Sequence, residues 1–103
     1  MSDKISKDNS TLVKIFQNKH HILELAQKYG VYRIRIFGSV VHQKDTPNSD
    51  IDFLVNFHPH SLLDRIRFSR ELENLLGHPV DVVQEKSIYP HILDEILEEV
   101  IDL

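Results

Sequence analysis

The chain contains no cysteine and no tryptophan. Without cysteine it can form no disulfide and no thiolate metal site, which fits a reducing compartment. It has neither an apolar run of membrane-spanning length nor a secretory-type N-terminus, so we expect a soluble, cytoplasmic protein that does not contact a membrane. The 12 Lys and Arg residues are outnumbered by 16 Asp and Glu residues. The net charge of −4 gives no electrostatic footprint for nucleic acid, and we expect no nucleic-acid partner.

The length of the chain limits it to one domain. With 103 residues, 41% of them hydrophobic and 27% charged, the composition is that of an ordinary globular protein. Residues 1–9 are polar and without periodicity, so we expect a flexible N-terminus there. A single folded domain over residues 10–103 then leaves no room for a separate domain that binds a second substrate.

Apolar spacing predicts an α+β fold with a small sheet. The expected order is helix, strand, strand, helix, strand and helix, over residues 10–29, 31–37, 50–56, 62–76, 79–84 and 90–101. Leu62, Leu63 and Ile66 are expected in the buried stripe of the second helix. The apolar stripe of the last helix, which includes Leu97, fits either the core or a surface that binds a partner.

Alternation within the strands assigns their side chains to two faces of the sheet. One face is apolar, and we expect the helices to cover it; it contains Ile34, Ile36, Ile51, Phe53, Val55, Val80 and Val82. The opposite, open face is expected to carry Arg33, Arg35, Asp50, Asp52 and Asp81. These charges form either a functional site or an ordinary surface network of ion pairs.

The segment Asp50-Ile51-Asp52 places two carboxylates on one face of a strand. Asp is depleted in strands and like charges repel, so the pair favours an external cation. Oxygen-only ligands indicate magnesium, manganese or calcium. The alternative is an exposed edge strand with an acidic wet face. A third carboxylate in a later strand, Asp81, favours the metal site.

Gly38 and Ser39 end the first predicted strand. A glycine there lets the backbone approach a ligand closely, and the N–H groups that open the next turn suit a phosphate, with the Ser39 hydroxyl as an added donor. The alternative is plain turn chemistry, in which Ser39 caps a short helix. A phosphate cradle beside three carboxylates and one or two hard cations supplies the parts needed for nucleotidyl transfer.

This pattern resembles a known family. Gly38-Ser39, ten residues, Asp50-x-Asp52 and an acid in a later apolar strand are similar to the DNA polymerase β-like nucleotidyltransferase superfamily. The short chain resembles its minimal branch, the MntA-type antitoxins paired with HEPN-domain toxins. The resemblance implies a small mixed sheet with helices on one face and the acidic active site on the other. It implies that Gly38 and Ser39 hold the triphosphate of ATP. Asp50, Asp52 and Asp81 would be catalytic and would ligate one or two Mg²⁺ ions, with Asp81 as ligand or general base.

The resemblance also implies the reaction and the partner. AMP would pass from ATP to a tyrosine of a HEPN-type toxin, with which the chain would form a hetero-oligomer. Arg33, Arg35 and His42 are candidate phosphate contacts, and His42 stands where the family often has an arginine. One alternative is an antitoxin that neutralises its partner by binding alone. A transferase acting on a small molecule such as an aminoglycoside is disfavoured, because we expect no acceptor domain in the chain unless the protein dimerises.

Overall fold

The computed structural model describes residues 11–42, 44–46 and 48–103, so the N-terminus predicted to be flexible lies outside the described residues. In chain order the elements are α1 (residues 11–17), α2 (Lys19–Lys28), β1 (Val31–Phe37), a 3-10 turn (Gly38–Val40), β2 (Ile51–Phe57), α3 (Leu62–Leu76), β3 (Val80–Gln84), a second 3-10 turn (Glu85–Ser87), α4 (Pro90–Leu97) and β4 (Ile101–Asp102). None of the helices in these described ranges is both long and apolar enough to cross a bilayer.

The four strands form one mixed sheet in the order β3-β2-β1-β4. β1 runs antiparallel to β2 and β4, whereas β2 and β3 are parallel. The predicted mixed α+β architecture is therefore confirmed. The first predicted helix is interrupted at Asn18, whose N–H is shared between the carbonyls of Lys14 and Ile15 (3.1 Å each).

One face of the sheet is covered by α2 and α3 and forms the core. Alternation predicted this face correctly: its buried strand residues are Ile34, Ile36, Ile51, Phe53, Val55 and Val82. The helices contribute Ile15, Ile22, Phe68, Leu72 and Leu76 to the same cluster. Burial of each such side chain contributes roughly 1.5–3 kcal/mol. This layer therefore fixes the register of the strands that carry the candidate site.

Helix α3 begins and ends where the sequence predicts. Ser61 Oγ accepts the N–H of Asp64, and the Asp64 carboxylate accepts the N–H of Ser61, which completes a capping box. Gly77 ends the helix at a φ of +64°. The burial of the first turn was predicted wrongly, because three of its apolar side chains are exposed: Leu62, Leu63 and Ile66. The buried stripe begins only at Phe68, where the helix meets the sheet.

The last predicted helix, over residues 90–101, is too long. α4 ends at Leu97, and Ile101 instead pairs with Ile36 across β1 and β4. The N–H of Leu103 donates to the carbonyl of Ile34 over 3.1 Å. Ile101 is β-branched and therefore favours an extended conformation. In that conformation its backbone can pair with the outer edge of β1.

Arg35 is fully buried, so its predicted place on a solvated face is wrong. Its Nη2 lies 2.8 Å from Glu85 Oε2 and also donates to Oδ1 of Asn56. Its register partner Leu54 is fully buried as well. A buried guanidinium needs a carboxylate partner, and the turn after β3 supplies Glu85. The middle of the second sheet face is therefore closed to solvent, and only its ends can hold a site.

Candidate active site

Gly38 lies where the chain leaves β1 and turns away from the sheet. Its φ of +82° falls in the left-handed region, which glycine adopts without strain. The turn is closed by the N–H of Val41, which donates to the Gly38 carbonyl over 3.1 Å, and Val40 is buried beneath it. The turn therefore has a fixed conformation, and the N–H groups that open it have no intrahelical partner.

Asp52 occupies the space that a side chain at residue 38 would need. A Cβ placed on Gly38 would overlap Oδ2 of Asp52 and lie 3.2 Å from its Cγ. The cause is the register of the sheet, in which Phe37 pairs with Asp52. The sequence indicated a close approach of Gly38 to a ligand; the structure shows a close approach to a carboxylate of the candidate site. Glycine is thus required both by its φ and by this carboxylate.

The three predicted carboxylates lie at the same end of the sheet. Asp52 and Asp81 are register partners across β2 and β3, so their side chains project to the same face. Asp52 is half-buried, whereas Asp81 and Asp50 are exposed. Burial raises the pKa of Asp52 above its ordinary value of 3.8, and the negative charges of Asp81 and then Asp50 raise this pKa further. The three carboxylates repel one another, and a bound cation would relieve this repulsion.

The carboxylates suit a hard divalent cation by their chemistry. All of their donors are oxygen atoms, and within the described ranges none of the three forms a salt bridge with Lys, Arg or His. In that same part of the chain, no group of three or more His, Asp or Glu side chains has the geometry of a metal site. The carboxylates therefore form an open row. Mg²⁺ commonly binds one or two carboxylates and completes its shell with water and substrate phosphates, which suits an open row.

Ser39 lies next to this row and is half-buried. The turn is capped by Phe37 without a side-chain hydrogen bond, so the structure does not show Ser39 as a helix cap. The Ser39 carbonyl accepts the N–H of Lys44 over 2.9 Å. Its hydroxyl makes no hydrogen bond to any other residue that the structure describes, and its predicted role as a phosphate donor stays a prediction.

Of the three basic residues proposed from sequence, only His42 lies near Gly38. Both line a cavity of about 230 Å³, together with Phe37, Glu95, Ile96 and Glu99. His42 Nε2 is 3.3 Å from Glu99 Oε2. Arg33 pairs with Asn56, four residues from the Phe37–Asp52 pair and so about 14 Å away along the strand. Neither Arg33 nor the buried Arg35 is brought to the carboxylates.

The contribution of α4 to this cavity was not predicted. Glu95, Ile96 and Glu99 come from the C-terminal part of the chain and reach the Gly38 turn only through tertiary packing. No local motif marks them. The only sequence signal was the acidic, amphipathic character of the last helix.

The sequence and the fold of the chain match a known class of enzymes. A model of the nucleotidyltransferase domain matches residues 19–103, and the chain belongs to this family. It is 40% identical over 82 residues to the protein adenylyltransferase MntA of Thermococcus cleftensis, covering 79% of this chain and 83% of that protein. A solved structure described as a candidate minimal nucleotidyltransferase is 36% identical with a TM-score of 0.81, covering 90% of this chain and 96% of that chain.

A solved toxin–antitoxin structure with AMP-PNP also shares the fold. It is 23% identical with a TM-score of 0.68, and the match covers 82% of this chain and 71% of that chain. The predicted polymerase β-like fold and the predicted enzyme class, a minimal nucleotidyltransferase, are confirmed.

Proposed function

We propose that this chain is an antitoxin that acts as a Mg²⁺-dependent protein adenylyltransferase and moves AMP from ATP to a tyrosine of a HEPN-type toxin. The observation that carries the proposal is the contact of the Gly38 turn with Asp52, whose cross-strand neighbour is Asp81. This arrangement places open backbone N–H groups directly beside a carboxylate pair. The relationship to a protein adenylyltransferase, MntA, supports a protein as the acceptor. The toxin as partner and its tyrosine as acceptor are taken from the sequence resemblance.

In the proposed reaction the tyrosine oxygen attacks the α-phosphorus of ATP. A new bond forms between these two atoms, and the bond from the α-phosphorus to the oxygen that bridges it to the β-phosphate breaks. Diphosphate leaves with that oxygen. The tyrosine proton passes to a carboxylate, for which the exposed Asp81 is placed beside Asp52. The reaction needs mainly positioning and neutralisation of charge, which a small rigid sheet can supply.

The proposal assigns a task to each side chain at this end of the sheet. Asp50, Asp52 and Asp81 would hold Mg²⁺, which when bound supplies charge neutralisation at the attacking and leaving oxygens. The N–H groups of the Gly38–Val40 turn and the Ser39 hydroxyl bind phosphate oxygens. The turn also fixes the Asp52 carboxylate, because the two are in contact. His42 adds a donor at the adjoining cavity.

One observation favours a second candidate function, an antitoxin that acts by binding alone. His42 is engaged by Glu99 instead of facing the carboxylates as a free basic group. A site with a weakened phosphate contact could bind a nucleotide without transferring it. The two candidates share the fold and the partner and differ only in chemistry.

The intact mass of the toxin decides between them. The HEPN-domain protein encoded beside this chain is incubated with the chain, ATP and Mg²⁺, and with the Asp50→Asn, Asp52→Asn double variant as the control. Circular dichroism confirms that the variant is folded. We expect the toxin mass to increase by one or more AMP units with the wild-type chain alone. A stable complex without any mass increase would refute the transferase and leave the binding antitoxin.

A further inference from the structure

We infer that Lys44 is a phosphate-binding residue of the candidate active site and that it contacts the β- and γ-phosphates of ATP. This inference rests on the proposed function, because it names a side chain that binds the nucleotide of that reaction. Lys44 belongs to none of the motifs that the sequence predicted. Its assignment comes from the contacts that fix the loop between the Gly38 turn and β2.

The proposed site needs a cation that the basic residues predicted from sequence do not supply. A triphosphate is strongly anionic, and its transfer chemistry depends on neutralisation of that charge. Arg35 is buried and paired with Glu85, and Arg33 lies at the opposite end of β1. His42 is engaged by Glu99. The described contacts therefore leave the phosphate-binding turn without a free cation among these three residues.

Lys44 lies beside this turn. It is the only Lys or Arg in the sequence between Gly38 and Asp52. Its backbone N–H donates to the carbonyl of Ser39 over 2.9 Å, which joins it to the residue whose hydroxyl is proposed to bind phosphate. A lysine side chain is a flexible four-carbon stem with three N–H donors. From this position it can therefore reach a phosphate that is bound at Ser39.

Two further contacts fix the loop that follows Lys44. The Thr11 hydroxyl donates to Asp45 Oδ2 over 2.8 Å, so the neighbouring carboxylate is engaged at α1. The N–H of Ser49 donates to the Thr46 carbonyl over 3.0 Å and closes a turn before β2. Within the described ranges Lys44 forms no salt bridge, and its side chain is exposed. The loop therefore presents an uncompensated cation next to the Gly38 turn.

The order of contacts along the turn assigns Lys44 to the β- and γ-phosphates. Asp52 lies against Gly38, and in the proposed reaction the α-phosphorus lies at the carboxylates, where the tyrosine attacks. Lys44 is bonded to the next residue of the turn, Ser39. The phosphates that leave as diphosphate therefore extend from the carboxylates towards Ser39 and Lys44. A cation there neutralises the charge that develops on the leaving diphosphate.

Lys86, in the turn after β3, supplies a matched control. Like Lys44, it is exposed and forms no salt bridge within the part of the chain that the structure describes. It lies beyond Gln84, which is three positions along β3 from Asp81 and so about 10 Å away. Replacing either lysine with glutamine changes the net charge equally. The control therefore separates a local contact from an effect of overall charge.

The experiment compares Lys44→Gln, Lys44→Arg and Lys86→Gln with the wild type. Isothermal titration measures the affinity of each protein for Mg²⁺-ATP and, separately, for Mg²⁺-diphosphate. One fixed ionic strength is used, because salt screens the interactions of exposed charges. Circular dichroism confirms that each variant is folded, and the intact mass of the HEPN-domain toxin reports AMP transfer.

We expect Lys44→Gln to bind Mg²⁺-ATP and Mg²⁺-diphosphate at least about tenfold more weakly, because a charge-assisted hydrogen bond to phosphate is lost. Lys44→Arg should retain most of the affinity, because arginine also binds phosphate oxygens. Lys86→Gln should bind both as the wild type does. Wild-type affinities in Lys44→Gln, or an equal loss in Lys86→Gln, would overturn the inference. A loss for Mg²⁺-ATP without a loss for Mg²⁺-diphosphate would overturn the assignment to the β- and γ-phosphates.

AMP transfer separates a failure of this inference from a failure of the proposed function. If the wild type transfers AMP and Lys44→Gln binds Mg²⁺-ATP normally, the transferase stands and the role of Lys44 falls. If Lys44→Gln loses affinity but the wild type leaves the toxin mass unchanged, the phosphate contact stands and the transferase falls.

Discussion

Replacing Gly38 with alanine tests whether the turn and the carboxylates act as one unit. The new methyl group would overlap the Asp52 carboxylate. The alanine would also have to adopt the φ of +82° that Gly38 has. The left-handed backbone lowers stability by about 1–2 kcal/mol. The carboxylate must also move by about 1 Å, and a misplacement of that size lowers a reaction rate about 100-fold. That loss corresponds to about 2.7 kcal/mol of transition-state stabilisation.

Gly77→Ala is the matched control for this variant. Gly77 also has a positive φ, +64°, but the atom nearest to an added Cβ is Lys14 Nζ at 3.5 Å, which is an ordinary contact. Denaturant unfolding should show a similar loss of stability for both variants, whereas the rate of AMP transfer should fall only in Gly38→Ala. An unchanged rate in Gly38→Ala, or an equal loss of rate in Gly77→Ala, would refute the coupling of the turn to Asp52.

Three further predictions concern other parts of the structure. Because the folded pKa of Asp52 is raised, protonation of its carboxyl stabilises the fold below the ordinary value of 3.8, and this contribution is lost as the pH rises through the folded pKa. Asp52→Asn should therefore melt above the wild type at pH 7 without metal and lose that advantage towards pH 3.8; a lower melting temperature at pH 7 would contradict the repulsion. Glu85→Gln leaves the buried Arg35 without its anion and should cost about 3 kcal/mol in denaturant unfolding. Adding Arg35→Met should then cost less than the separate effects combined, and simple additivity would argue against the pair. Ser61→Ala should lower stability by about 1 kcal/mol through loss of the cap while leaving the affinity for Mg²⁺-ATP unchanged.

The strands and their carboxylates could be predicted because their signals are local. Alternation over residues 50–56 and 79–84 needs only neighbouring residues, and it assigned Asp52 and Asp81 to one face correctly. Gly77 and Ser61 likewise mark the ends of α3 through the chemistry of a single turn. Each of these features depends on residues that are close in the sequence.

Two of the errors concern contacts between distant parts of the chain. Alternation placed Arg35 in solvent, but Glu85, fifty residues later, joins it in the interior. The apolar spacing through Ile101 continued the helical pattern, but this residue pairs with Ile36 at the edge of β1 and forms a strand. Helical period and strand pairing compete at such a position, and only the position of β1 in space decides between them.

Asp52 shows what the structure adds to a motif that the sequence already contained. The spacing of Asp50 and Asp52 indicated two acids on one face. It did not indicate that Gly38 would lie in close contact with Asp52. Nor did it indicate that burial and the charges of Asp81 and Asp50 would raise the pKa of that carboxyl. Charges held together in this way destabilise the isolated fold, and within the described ranges no cation of the chain pairs with them. The described part of the chain therefore leaves this anionic row without a compensating charge, which in the proposed function Mg²⁺ bound with the substrate would supply.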